Sequence, residues 1–254
     1  MEDPNVQAAF GRHVHWGYWE YSPDRTPTVD EYGRAAEVLC LRMLECADIQ
    51  DRQEILDVGC GLGGTLACLN ERYSSVNLTG VNIDPQQLCL AASRIRPRAE
   101  NSLALILADA AQLPLANESI DVALAVESVF HFDRPRFFAE VSRVLRRGGS
   151  LTLSDFIPHE RAVPYVEATK LNSNADVVAT YGDIDVSWSV ERYRSLAAAC
   201  GLTLTAALDV TKNTLPTYDF LRHTVESWDN QEDAQQFLRA TGWLEKASRK
   251  GIIT

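Results

Sequence analysis

The sequence predicts an α/β fold: a doubly wound, mostly parallel sheet, with an N-terminal helical arm before it and a lid segment after it. Three observations predict this. Between Glu54 and Phe156, short apolar runs alternate with helix-length amphipathic stretches, the pattern of β-α-β units. The first run, Ile55-Leu56, passes through Asp57 into four glycines within six positions, Gly59, Gly61, Gly63 and Gly64. Finally, Asp57, Asn82, Asp109, Glu127, His131 and Asp155 all fall at or just after the carboxyl ends of expected strands. Ligands bind over that rim in sheets of this kind.

Composition narrows the partners. The 254 residues carry a net charge of −11 with no basic run, which disfavours nucleic acid and anionic membrane surfaces, since both select clustered Lys and Arg. No apolar stretch approaches the ~20 residues of a membrane span. Met1-Glu2-Asp3-Pro4 is acidic and lacks the apolar core of a signal peptide, so a cytoplasmic location is expected. The six cysteines form no C-x-x-C pair and read as reduced, buried thiols. Oligomeric state has no signature here.

Three regions are expected: residues 1–50 as an aromatic arm and helix, 51–156 as the ligand-binding core, and 157–254 as a lid and the rest of the same α/β domain. In the arm, His13-Val14-His15-Trp16-Gly17-Tyr18-Trp19 concentrates aromatic side chains. His13 and His15 lack a third ligand nearby, so no metal is expected. The aromatics either anchor the arm or form a flap in which Trp16 and Tyr18 cover the ligand. Thr28 and Glu31 form a capping box opening a helix that runs to about Ala47.

In the core, a helix from about Gly63 to Tyr73 follows the glycine turn and aims its first amides over it. Val76 to Asn82 is the second strand, and Pro85 suits the first turn of the next helix. Asn82 stands where such folds place an acidic residue on ribose hydroxyls, a role an amide can also fill. Leu103 to Ala110 is a third strand reaching Asp109. Ile120 to Val126, almost wholly apolar, suits a central parallel strand. Arg136 to Arg147 reads as a helix with Phe137, Phe138, Val141, Val144 and Leu145 on one face, stopped by Gly148-Gly149. Ser150 to Phe156 is the fifth strand.

Pro158 to Asp185 has weak periodicity and suits a mobile lid. Ser189 to Cys200 is a helix with Tyr193, Leu196 and Ala197 inward and Gly201 after it. Leu202 to Val210 reads as a strand, and Leu215-Pro216 opens further helices.

Gly59-x-Gly61-x-x-Gly64 alone satisfies the weak dinucleotide fingerprint. With Asp57 it becomes Asp-x-Gly-x-Gly-x-Gly, which resembles motif I of class I S-adenosylmethionine-dependent methyltransferases, a Rossmann-like group. Similar features extend along the chain. The arm resembles the His-x-Gly-Tyr-Trp arm of tocopherol, sterol and antibiotic-tailoring methyltransferases. Asn82-Ile83-Asp84-Pro85-Gln86-Gln87, Ala108-Asp109-Ala110 before Leu113-Pro114, and Trp188-Ser189-x-Glu191-x-Tyr193 resemble the same group. The resemblance implies S-adenosyl-L-methionine as cofactor and a small-molecule methyl acceptor. It implies Asp57, Gly59, Cys60 and Gly61 at the turn, Asn82, Ile83 and Gln87 near the ribose, and Asp109 with Ala110 at the adenine. Tyr18, Val126 and Glu127 would complete the cofactor site. The fold normally closes with an antiparallel seventh strand, and Gly251-Ile252-Ile253-Thr254 supplies only its opening.

For chemistry, His131 stands four residues after Glu127 and suits proton abstraction near neutral pH. Asp155, ending the neighbouring strand, would orient its imidazole or bind the acceptor hydroxyl. Some sugar- and polyketide-tailoring members of the group have a His and an Asp at matching positions. O-methylation of a natural-product or sugar hydroxyl is therefore expected, with C- or N-methylation, or a cyclase or cofactor-binding scaffold without methyl transfer, as alternatives. An NAD-dependent oxidoreductase would leave Asp57, Asp109 and the more than fifty residues before Glu54 unexplained.

Overall fold

The structure, a computed structural model, describes residues 10–98, 100–169, 174–228 and 230–254. The acidic stretch Met1-Pro4 and residues 170–173 of the expected lid lie outside the described residues. In order, the elements are α1 (Val29–Cys46), β1 (Glu54–Val58), α2 (Gly64–Arg72), β2 (Asn77–Asn82), α3 (Pro85–Arg94), β3 (Ser102–Leu107), β4 (Ile120–Ala125), α4 (Arg134–Val144) and β5 (Leu145–Leu153). There follow α5 (Val163–Thr169), α6 (Ala175–Tyr181), α7 (Val190–Ala199), α8 (Thr211–Thr214), α9 (Pro216–Thr224) and α10 (Gln231–Arg249).

The five strands form one parallel sheet in the order β3-β2-β1-β4-β5. Strand order reverses between β1 and β4, so a crevice opens there beyond the strand ends, and the glycine turn lies at its mouth. Local chemistry sets the helix starts. Thr28 and Glu31 make the capping box of α1. The Asp84 carboxylate accepts from the Gln86 and Gln87 N–H groups ahead of Pro85. Gly63, at φ +81, enters α2, and a Cβ there would lie 2.6 Å from Ile95 Cδ1 of the α3 layer.

Two hydrophobic layers sandwich the sheet. One joins Ile55, Leu66, Leu69 and Leu78 to Leu44 of α1 and Leu88 of α3. The other joins Leu56, Val58 and Ala123 to Phe137, Phe138 and Val141 of α4 and Tyr193 of α7. A third cluster lies outside this sandwich. It joins Trp16, Trp19 and Tyr32 to Val166, Val177, Tyr218, Phe237, Leu244 and Ile253, so the arm shares one core with α5, α6, α9 and α10.

Three expectations are corrected. Helix α4 ends at Val144, and Gly148-Gly149 lies inside β5 instead of stopping the helix. Ile120 pairs with Leu145 but Val122 with Ser150, so the glycines turn a bulge, with Gly148 at φ +84. Leu202 to Val210 is not a strand. Its backbone finds no ladder, and Leu208 is 71 % exposed. A strand persists only where its N–H and C=O groups are paired. The C-terminal stretch that would bring such pairing binds elsewhere: Ile253 bridges Pro158 antiparallel, and Ile157 and Thr254 exchange backbone hydrogen bonds at 3.0 and 2.7 Å. Finally, the lid region carries short helices, α5 and α6, where the weak periodicity predicted none. Among the described residues, no helix is long and apolar enough to cross a membrane.

Candidate active site

The four glycines serve different neighbours. At Gly59, φ +74, a Cβ would stand 2.5 Å from Ser128 Cβ, so this glycine lets the turn pack on the loop after β4. Ser128 in turn donates to the Val58 carbonyl at 2.9 Å. At Gly64 a Cβ would meet the Arg12 carbonyl at 2.5 Å and His13 at 2.6 Å, so this glycine admits the arm. Only Gly61, φ +52, faces open space, with Gln87 Oε1 at 3.7 Å as the nearest atom to an added Cβ. An added side chain would thus meet the β4 loop at Gly59 and open space at Gly61.

Around Gly61 the sequence-predicted residues gather. Asn82 Nδ2 donates to Gln87 Oε1 at 2.9 Å, while Asn82 Oδ1 accepts from the Ile83 N–H. Ile83 is exposed at the end of β2, and Leu107 is exposed at the paired end of β3. Asp109 is exposed, with Oδ1 accepting from the Ala111 N–H at 2.8 Å, and Ala110 packs beneath it. Asp57 is 2 % exposed, its Oδ2 has no partner, and burial raises its carboxyl to about 7. Cys60 is buried beside it, and burial first, then the Asp57 charge, pushes the thiol up.

The far half of the rim is held by distant segments. Val126 is buried at the end of β4. Glu127 sits at φ +44, a left-handed conformation uncommon for a residue with a side chain. Its N–H donates to Ser154 Oγ and its Oε2 accepts from the Trp16 N–H, both at 2.9 Å. Burial, helped by the nearby Asp155 charge, raises its carboxyl to about 7. Trp16 is buried with its ring against Phe156, Tyr181 and Tyr218, so of the two expected flap residues it is Trp16 that reaches the rim. Tyr18, expected at the cofactor, bonds through its N–H to the Ala35 carbonyl of α1, and its ring lies 5.4 Å from the Arg42 guanidinium.

Two histidines clamp the arm. His15 Nδ1 faces the Trp16 carbonyl at 2.8 Å, which can only accept, so Nδ1 carries a proton. Burial holds His15 down to about 3, leaving it neutral with Nε2 as an acceptor. His13 Nδ1 lies 3.1 Å from it, and His13 Nε2 lies 2.9 Å from Glu37 Oε2 of α1. That contact, with the bonds from Arg12, keeps the Glu37 carboxyl at about 2. The pair is thus committed to arm attachment. Among the described residues, no group of three or more His, Cys, Asp or Glu side chains is arranged to hold a metal ion.

His131 and Asp155 do not meet as expected. His131 Nδ1 lies 2.9 Å from the Asp183 carbonyl. Asp155 is buried against Arg134 Nη2 at 2.9 Å and accepts from Tyr193 Oη. A carboxylate this deep is drawn to a permanent cation, and the 1 %-exposed Arg134 supplies it. Even so, burial raises Asp155 to about 6. Sequence reading missed Arg134, Asp183 and Asp185. Arg134 opens α4 and looks like any first-turn residue, and its burial depends on contacts 21 to 59 residues away. Tyr193 was legible as an inward face of α7, though not as a partner of Asp155.

The residues present fit a nucleoside-bearing cofactor. The open space at Gly61, the linked amides of Asn82 and Gln87 and the exposed Asp109 carboxylate stand at the carboxyl ends of the adjacent strands β1, β2 and β3, and the unmet Asp57 oxygen is buried within β1. Comparison with known proteins agrees. A family model described as a methyltransferase domain matches residues 56–153. The chain is 33 % identical over 217 residues to methyltransferase GfsG of Streptomyces halstedii, covering 84 % of this chain and 73 % of that protein. It is 31 % identical over 234 residues to the 27-O-demethylrifamycin SV methyltransferase of Amycolatopsis mediterranei, covering 91 % and 80 %. The crystal structure of the [4+2]-cyclase SpnF superposes with a TM-score of 0.80 at 21 % identity, covering 98 % of this chain and 89 % of that one, a likeness of fold.

Proposed function

The chain belongs to the S-adenosylmethionine-dependent methyltransferases acting on small molecules, and on that premise we propose that it methylates a hydroxyl of a natural-product-like acceptor, with His131 as general base. The observation carrying this reading is the hydrogen bond between His131 Nδ1 and the Asp183 carbonyl. A carbonyl only accepts, so the neutral imidazole keeps its proton on Nδ1 and presents a bare Nε2. Although His131 is exposed, partial desolvation by its neighbours lowers its pKa from the ordinary value, which favours that neutral, proton-accepting form. The relative named for 27-O-demethylrifamycin SV supports an oxygen acceptor.

When bound, S-adenosylmethionine supplies an electrophilic methyl group on a sulfonium centre. Asn82 and Gln87 would hold the ribose hydroxyls, Asp109 would accept from the adenine amino group, and Gly61 would let the backbone approach. Trp16 and Phe156 would keep water from the far side of the crevice. His131 takes the acceptor's hydroxyl proton at Nε2, with Nδ1 still bonded to Asp183. Orientation comes from the lid backbone, a role the sequence assigned to Asp155.

The test is a single-turnover measurement using S-adenosylmethionine and the hydroxylated acceptor that turns over best in a screen, with S-adenosylhomocysteine detected by mass spectrometry. His131→Ala is expected to slow the chemical step by ~10²-fold or more, with cofactor affinity nearly unchanged. A drop under about 5-fold, far short of a lost general base, would remove His131 from that role.

A further inference from the structure

We propose that Arg134 is a positioning residue for His131, acting through the lid: its guanidinium seats residues 183–187, and the seated lid sets which imidazole nitrogen is bare. This rests on the reading of His131 as the base. Arg134 follows His131 by three residues, yet its side chain turns inward and is 1 % exposed. Nε donates to Tyr193 Oη at 2.6 Å, and Nη2 donates to Asp155 Oδ2 at 2.9 Å and to the Asp185 carbonyl at 2.6 Å. Nη1 faces Asp185 Oδ2 at 3.3 Å. One planar cation therefore joins the end of β5, helix α7 and the lid, as a five-donor fork can.

The lid closes back on the base. Asp185 N–H donates to the Phe130 carbonyl at 2.8 Å, and the Asp183 carbonyl, two residues earlier, meets His131 Nδ1. Asp185 Oδ1 also accepts from the Ser187 N–H and hydroxyl, which folds the segment into a tight turn. Gly182, at φ +81, begins it, and a Cβ there would lie 3.8 Å from His131 Cε1. Without Arg134 the Asp185 carbonyl and carboxylate lose their cation, and the Asp183 carbonyl is no longer fixed against the ring. The imidazole is then free to move its proton to Nε2, which would block proton abstraction while leaving the side chain in place.

The experiment reads the tautomer directly. Uniformly ¹⁵N-labelled protein saturated with S-adenosylhomocysteine is examined by long-range ¹H–¹⁵N correlation at pH 8, with His131 assigned from its loss in His131→Asn. The wild type should show Nδ1 protonated and Nε2 bare. In Arg134→Gln the ratio of Nδ1–H to Nε2–H forms should fall by about 5-fold or more, the change expected from losing one hydrogen bond. If Arg134→Gln does not fold, Arg134→Lys is read instead. Lysine keeps a charge for Asp155 but cannot span Tyr193, Asp155 and Asp185 together, so the same fall is expected. An unchanged ratio in the folded variant overturns the proposal. A tautomer shift alongside full turnover by His131→Ala would instead overturn the base and leave Arg134's control of the ring standing.

Discussion

At the ends of β1, β2 and β3 the rim side chains find their partners within a few residues, whereas at the ends of β4 and β5 they reach across the fold. Asn82 meets Gln87 five residues on, and Asp109 meets Ala111 two residues on. Glu127 is bonded to Trp16, 111 residues away, and His131 to Asp183, 52 residues away. The polar side chains of the first half are held by their own turns, although Gly59 and Gly64 also pack on the β4 loop and the arm. The second is complete only when arm and lid are docked. On the proposed function, cofactor contacts and acceptor chemistry have different structural supports, and substitutions should separate them.

The largest effect is expected at Asp155. Asp155→Ala leaves the buried Arg134 with only the more exposed Asp185 carboxylate, and removing one partner of such a buried pair typically costs about 3–5 kcal/mol. Urea unfolding should show that loss, while the folded fraction binds S-adenosylhomocysteine nearly as the wild type does. A loss under about 1 kcal/mol, the scale of a surface pair, would mean that the far half does not hang on this cation.

Next come the glycines. Gly59→Ala adds a Cβ 2.5 Å from Ser128 at φ +74, and strain plus overpacking should cost about 2–4 kcal/mol. Gly61→Ala meets no atom closer than 3.7 Å, so its stability cost should be only the ~1 kcal/mol of a left-handed alanine. Its affinity for S-adenosylhomocysteine should nevertheless fall by about tenfold, or ~1.4 kcal/mol. Thermal scans and calorimetry on both variants sharpen the contrast. Equal stability losses in the two would erase it.

The remaining contrast is a pH dependence on the arm side. Folded Glu127 holds its proton up to about 7, whereas an unfolded glutamate releases it near ~4.3. A raised carboxyl contributes stability that is full below the unfolded value and lost as pH rises through the folded one. The melting temperature should therefore fall between pH 5 and pH 8, and fall less in Glu127→Gln, which keeps an oxygen for the Trp16 N–H. Asp57, raised to about 7, leaves a residual slope. Identical slopes in the two proteins would show that Glu127 is not the titrating group.

The same contrast decides what could be read from the sequence. The sheet, the glycine turn, the Thr28 capping box and the Asn82–Gln87 pair were legible because each depends on neighbours in the chain. The Asp155–Arg134–Tyr193 cluster was not, since proximity in the fold brings its members together. For the same reason Asp155 was expected to orient His131 or bind the acceptor hydroxyl, whereas the ring meets the Asp183 carbonyl and Asp155 meets Arg134. Leu202 to Val210 had strand-like residues, yet a strand is a property of its partner as well as its own sequence. The helices expected after Leu215-Pro216 were given no bounds, although in α10 Ala234, Phe237, Ala240, Leu244 and Ala247 recur at helical spacing and are all buried.

The backbone of Glu127 sets two energies against each other. A non-glycine residue held left-handed gives up roughly 1–2 kcal/mol, and glycine would recover it less the ~0.5–1 kcal/mol of its greater chain entropy. Glycine would also remove the acceptor of the Trp16 N–H, and a buried donor left without a partner costs about 1–3 kcal/mol. The hydrogen bond to the arm therefore outweighs the strain, and the left-handed turn is held in place by a residue 111 positions away.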